Sequence, residues 1–334
     1  MTTINNFKVK VLFAFLSIYI VWGTTYLAIS YGLRGFPPFI LSGLRFLVAG
    51  LLILLWMYKK GEKPTSLTNW KKNAVPGVLI LSAGVGLVAW AEQYVTATEA
   101  AIVMAIEPIC FIAIARKSKD SGSSNKFLLA GLVLGFGGLL LFLRDSLWAE
   151  QELKADTNYR LAAFGLLLLS SFLWVLGSLF SKKHPSGHSI FMNVGQQLTI
   201  GGIASFIIAG FSGEWSTLQL NAVPLESWLG LAYLIVFGSL IAYLSFIWLL
   251  SIKPPALVST HTYVNPVVAV LFGWLVAGQV ISTAQFIGLG VILSGVLLTN
   301  FSSYKFSRQK IVRFRRLERV LIRITSPYRH ITNY

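Results

Sequence analysis

Residues 127–143 read Phe-Leu-Leu-Ala-Gly-Leu-Val-Leu-Gly-Phe-Gly-Gly-Leu-Leu-Leu-Phe-Leu, bounded by Lys126 and Arg144 with no charge between them. The stretch does not alternate polar with apolar residues, as a transmembrane barrel strand does. Its length suits a helix crossing the hydrocarbon core, which takes about 17–25 apolar residues. Residues 287–298 have the same character. Working outward from these two gives ten such segments, near 11–31, 36–58, 75–95, 98–115, 127–143, 161–181, 189–211, 227–250, 255–278 and 283–302. The chain is 55% apolar and only 12% charged, whereas soluble domains carry about 25% charged residues. It is read as an all-α integral membrane protein with ten transmembrane helices.

The net charge of +16 invites a nucleic-acid partner. The placement of the charge argues against one. With the N-terminus taken as cytoplasmic, 23 of the 28 Lys and Arg fall on that side, nine of them in the tail 303–334. Only Arg34, Arg144, Lys154 and Arg160 fall on the other side, and Arg45 lies within a span. This is the positive-inside bias of a membrane protein. Ten crossings put both termini in the cytoplasm. Lys8 and Lys10 precede the first segment like the start of a signal peptide, but the apolar run continues through Trp22, Tyr26 and Ile29 without a small-x-small site. Cys110, the single cysteine, excludes an intramolecular disulfide.

The ten segments fall into two related sets of five. Trp22, Gly43 and Gly50 match Trp174, Gly195 and Gly202 at a constant offset of 152. Further on the offset lengthens: Gly131 and Gly138 match Gly288 and Gly295 at 157, and Glu107-Pro108 matches Asn265-Pro266 at 158. Conserved order at a near-constant period indicates duplication, with a few residues inserted in the second half. Five is odd, so the copies enter the membrane with opposite orientation. Inverted repeats of this kind build many transporters, with the substrate site at the midplane. The expected organisation is a cytoplasmic N-terminus 1–10, a first repeat 11–143, a polar linker 144–160, a second repeat 161–302 and a basic tail 303–334.

The chain resembles a known family at these same positions. Ile20-Val-Trp-Gly-Thr-Thr-Tyr26, Phe36-Pro-Pro-Phe39 and Gly43-Leu-Arg-Phe46 look like the opening of EamA-type permeases. Val88-Ala-Trp-Ala-Glu-Gln-Tyr94 with Glu107-Pro108 is similar to their third and fourth helices, and Tyr263-Val-Asn-Pro-Val-Val-Ala-Val270 to their ninth. The resemblance covers about residues 11–302 and implies a ten-helix permease of the drug/metabolite transporter superfamily. Such a protein is usually an exporter of metabolites or amino acids, here expected in a bacterial plasma membrane. One departure is Gly278-Gln279, where the family often has Gly-Glu.

An ionisable group inside a span costs several kcal/mol, about 2.5–3.5 on insertion scales, so it usually faces a cavity or a partner. Arg45, Glu92, Glu107 and His261 are such groups. Glu107 precedes Pro108, which frees a backbone carbonyl one turn earlier and opens the helix beside the carboxylate. His261 lies one turn before Asn265 on the same face. Pro108 and Pro266 are expected to break their helices. The functional reading joins Glu107 to His261 and Asn265 in one midplane site; the alternative is a structural kink with Glu107 buried, hydrogen-bonded and neutral. Trp22, Thr25, Tyr26 and Trp174 are expected to line the same site, although interface belts account for many membrane aromatics. Glu92 is expected to pair with Arg45, as a clamp or as a gate. In the tail, Ile311, Phe314, Leu317, Leu321 and Ile324 recur at helical spacing and suit a helix on anionic lipid.

These features favour a secondary transporter of small organic solutes, with proton coupling through a carboxylate. No G-x-x-x-x-G-K-[ST] loop points to ATP, and no H-E-x-x-H or G-x-S-x-G points to an intramembrane enzyme. A sensor or scaffold without transport stays open as the alternative. No metal or cofactor is expected, and the sequence leaves the oligomeric state open.

Overall fold

A computed structural model describes residues 2–63, 65–95, 97–115, 126–142, 144, 157–277 and 282–299. The basic tail, most of the linker 144–160, and Gly278-Gln279 lie outside them. Every regular element among the described residues is helical. Besides the short turns Glu214–Thr217 and Leu220–Ala222, these are in chain order α1 (Asn6–Gly32), α2 (Pro38–Lys59), α3 (Leu67–Ala91), α4 (Ala97–Met104), α5 (Glu107–Ala115), α6 (Leu129–Phe142), α7 (Asn158–Lys183), α8 (Ile190–Phe211), α9 (Leu225–Ile252), α10 (Pro255–Val258), α11 (His261–Ala277) and α12 (Thr283–Thr299). Six of them, α1, α2, α3, α7, α8 and α9, are long and apolar enough to cross a membrane.

The burial pattern departs from that of a soluble helix: apolar residues lie on both faces. Along α2, Leu51, Leu52, Leu55 and Trp56 are exposed while Ser42 and Arg45 are buried. Apolar side chains outside and polar ones inside are what a hydrocarbon solvent selects.

Two expected spans are each broken in two. The segment 98–115 divides at Ala105 and Ile106. Pro108 stands in the first turn of α5, where its missing N–H costs nothing, and its ring excludes the carbonyl of Met104, the last residue of α4. The segment 255–278 divides at Ser259 and Thr260. Here side chains compete with the helix ladder: Ser259, Thr260 and Thr262 donate to the carbonyls of Ala256, Leu257 and Ser259 at 3.1, 2.7 and 2.9 Å. Pro266, expected to break this helix, lies inside α11 instead. The two broken segments pack together, α4 on α11 and α5 on α10.

The tightest packing joins α2 to α8, which run antiparallel. A Cβ on Gly50 would stand 2.5 Å from the Thr199 amide nitrogen, and one on Gly202 2.5 Å from that of Leu47. Gly43 meets the Phe206 ring, and Gly195 meets Leu54. Each second contact is the first with the partners exchanged across the 152-residue offset. Between α6 and α12, Gly131 faces Thr299 while Gly288 faces Phe142, and Gly138 faces Ile292 while Gly295 faces Gly135, now at an offset of 157.

Hydrogen bonding widens to the π pattern at Ser17–Val21 in α1, Gly77–Val85 in α3 and Leu234–Tyr243 in α9. The last two again begin 157 residues apart. The insertion behind the longer offset is the connection 212–224 after α8, against 60–66 after α2.

Candidate functional site

A small, partly open cavity of about 70 Å³ lies where α1, α2, α3, α7 and the two breaks converge. Trp22, Thr25, Tyr26, Arg45, Glu107, Trp174, His261 and Asn265 all line it. The local structure explains why they meet. Trp22 follows the π segment of α1, Glu107 opens α5 and His261 opens α11. Packing of α1 against α11 and of α7 against α4 and α5 then turns these positions inward.

Aromatic rings form one wall. The Trp22 ring stands edge-on to Trp174 at 5.4 Å and to His261 at 4.8 Å, with Phe246 at 5.2 Å. Its indole N–H is spent on the Gly238 carbonyl at 3.3 Å, inside the π segment of α9. Edge-to-face geometry at these distances adds about 0.5–1.5 kcal/mol per pair beyond burial.

The polar groups divide into satisfied and unsatisfied sets. Arg45, 5% exposed, donates through Nε to Ser239 Oγ at 2.9 Å. Thr25 donates to the Trp22 carbonyl at 2.7 Å. Asn265 is ringed by carbonyls of Ile18 (3.2 Å), Tyr19 (3.1 Å) and His261 (2.9 Å), so its amide nitrogen faces them. It thereby ties α11 to the π segment of α1. Against this, Glu107 is 1% exposed with Oε2 unpartnered, and neither ring nitrogen of His261 has a partner. The Trp174 indole N–H is unpartnered too. Buried polar atoms are nearly always paired, so a cluster of unmet groups around a cavity marks a place where a ligand's polar atoms would be met.

Glu92 departs from expectation. It stands one residue past the end of α3, in the turn 92–95, and does not line the cavity. The expected Arg45–Glu92 pair is absent: among the described residues, ion pairs join Arg34 to Glu226 and Arg160 to Glu99. Helices adjacent in sequence need not place two charges at one depth.

Met104 and Thr262 also line the cavity and escaped the sequence reading. The Met104 sulfur accepts from Ser171 Oγ at 3.2 Å. Its place one turn before Glu107 is the signal that could have found it.

Comparison with known proteins agrees with this architecture. The EamA-like transporter family matches residues 9–144 and, a second time, 161–301. An Escherichia coli (strain K12) protein named an uncharacterised inner membrane transporter, YedA, is 32% identical over 90% of this chain and 93% of its own length. A Bacillus subtilis protein named an uncharacterised transporter, YoaV, is 24% identical over 91% of this chain and 100% of its own. A solved structure superposes with a TM-score of 0.71 over 90% of this chain and 99% of that one, at 17% identity. That last likeness speaks to the fold alone.

Proposed function

We propose that this chain, which belongs to the EamA-like transporter family, carries small organic metabolites such as amino acids outward through the Glu107 cavity. Membership makes it a multi-pass membrane transporter of a kind found in bacteria. The finer reading rests on the cavity and the repeat.

The carrying observation is that both family-matched segments contribute to one cavity in which Glu107 and His261 are buried with hydrogen bonds unmet. A solute amine or a coupling proton would supply what Glu107 lacks. A solute carboxylate would find Arg45, whose hydrogen bond among the described residues goes to the neutral Ser239 hydroxyl. Trp22, Trp174, Tyr26 and Met104 offer an apolar wall for a side chain. Asn265 serves this site by fixing α11 against α1.

Ten crossings, arranged as inverted repeats 11–143 and 161–302 around the linker 144–160, supply the motion. The exchanged glycine contacts and the paired π segments support that arrangement, and so does the double family match. Rocking of one half against the other, about the seam where α2 meets α8, exposes a site between them to each side in turn. Both termini are cytoplasmic in this reading, on the distribution of Lys and Arg. The basic tail lies on the anionic inner leaflet.

The test is a toxicity screen with amino-acid analogues in cells expressing the wild type, Glu107→Ala or neither. Resistance conferred by the wild type alone is expected. Equal sensitivity of all three across the panel removes the export reading.

A further inference from the structure

The α2–α8 pair ends in two matching corners. Gly61-Glu62 follows α2 and Gly213-Glu214 follows α8, 152 residues later. Both glycines are left-handed, with φ of 87° and 74°, the conformation that reverses a chain at a helix C-terminus. In the first corner the Glu62 N–H returns to the Met57 carbonyl at 3.1 Å. Each reversal aims the following glutamate at the start of the neighbouring helix, because α2 and α8 are antiparallel.

The contacts match as well. Glu214 Oε2 accepts from the Phe39 and Ile40 amides, in the first turn of α2, at 2.9 and 3.0 Å. Glu62 Oε2 accepts at 3.0 Å from Ser189 Oγ, the side chain that caps α8 by accepting from the Met192 amide. Ser189 is the 152-residue counterpart of Pro37, the residue before α2. A carboxylate at a helix N-terminus is favoured by the macrodipole. The pair is therefore fastened at both ends, and between them it packs backbone against glycine.

We propose that Glu62 and Glu214 are positioning residues: matched clasps that keep α2 and α8 together as the fixed frame about which the rest of the transporter moves. This rests on the alternating-access reading above. Gates behave oppositely, since a gate must open at one end in every cycle. Neither glutamate lines the central cavity, so neither acts through direct solute contact.

The experiment uses two double variants on a Cys110→Ser background, Glu62→Cys with Ser189→Cys and Glu214→Cys with Pro37→Cys. Uptake of a radiolabelled L-amino-acid mixture into proteoliposomes is measured before and after treatment with a short bis-thiol crosslinker. Loss of a hydrogen-bonded clasp is expected to lower maximal uptake about tenfold with the half-saturating concentration unchanged. Crosslinking is expected to restore it, because the covalent tie replaces the carboxylate. Uptake that falls on crosslinking, or that never dropped, overturns the proposal. If the Cys110→Ser parent carries none of the mixture, that result counts against the substrate reading alone. Spin labels at Lys60 with His188, and at Pro37 with Ser216, then decide the frame without a substrate. One narrow distance at each end supports it, and a second, longer distance at either end overturns it.

Discussion

Alanine at Gly50 or Gly202 is expected to destabilise the protein by equal amounts. A Cβ at Gly50 would meet the Thr199 nitrogen at 2.5 Å and the Gly195 carbonyl at 2.9 Å. At Gly202 it would meet the Leu47 nitrogen at 2.5 Å and Cα at 2.8 Å. Backbone atoms cannot rotate away, so α2 and α8 must separate. Overpacking of this kind costs ~1–3 kcal/mol. The better helix propensity of alanine returns ~0.5–1 kcal/mol. The net loss is ~0.5–2 kcal/mol for each variant. Both substitutions force the same separation, so the double variant should lose less than the sum. Gly137 and Gly165 have open space around them, and alanine there should be neutral or gain ~0.5–1 kcal/mol. Reversible unfolding in mixed micelles, followed by tryptophan fluorescence, measures all five variants. Unequal losses at Gly50 and Gly202, or losses no larger than at Gly137, would refute the exchanged-contact reasoning.

Three further outcomes are expected. Asn265→Leu leaves carbonyls of Ile18 and Tyr19 facing an apolar side chain and should cost ~1–3 kcal/mol; unchanged unfolding would detach Asn265 from its structural role. Arg45→Met removes a buried charge whose hydrogen-bond partner is the Ser239 hydroxyl, so stability should hold or rise by up to ~2 kcal/mol while uptake falls; stability lost in step with uptake would make Arg45 a structural residue. Burial pushes the Glu214 carboxyl up from its usual range, against the lowering effect of the Ile40 and Phe39 amides and Ser212. A raised folded-state value contributes stability that is present at low pH and lost as pH rises through it. The wild type should therefore gain stability relative to Glu214→Gln as pH falls from neutral, and a gain in the opposite direction would contradict the burial argument.

The sequence reveals the fold where a physical rule acts locally. Residues 127–143 read as a helix because charge and alternation are both missing from them, and α6 is helical and apolar, though shorter than the six helices long enough to cross. Pro108 marks a break because its ring excludes a carbonyl at a fixed distance along the chain. The glycine offsets translate directly into the contacts of α2 with α8 and of α6 with α12. The second break is legible only in hindsight: the hydroxyls of Ser259, Thr260 and Thr262 make it, and the more conspicuous Pro266 does not. Asn265 shows a different limit. Its residue type suits a ligand site, but it is engaged by backbone carbonyls of α1, which no side-chain pattern announces. Arg45 and Glu92 fail as a pair because span boundaries read from hydropathy are loose, and Glu92 falls just past the helix end. The Gly-Glu corners at 61–62 and 213–214 share the 152-residue offset of the α2 and α8 glycines, yet their partners are helix starts that only the packed structure brings near.

The cavity account is tested most directly by counterflow in proteoliposomes. Vesicles preloaded with an unlabelled L-amino-acid mixture are diluted into the labelled mixture, with the wild type and with Glu107→Gln at equal, folded protein content. The account predicts labelled solute accumulating with the wild type and falling at least about tenfold with the variant. Equal accumulation by the two proteins would contradict it.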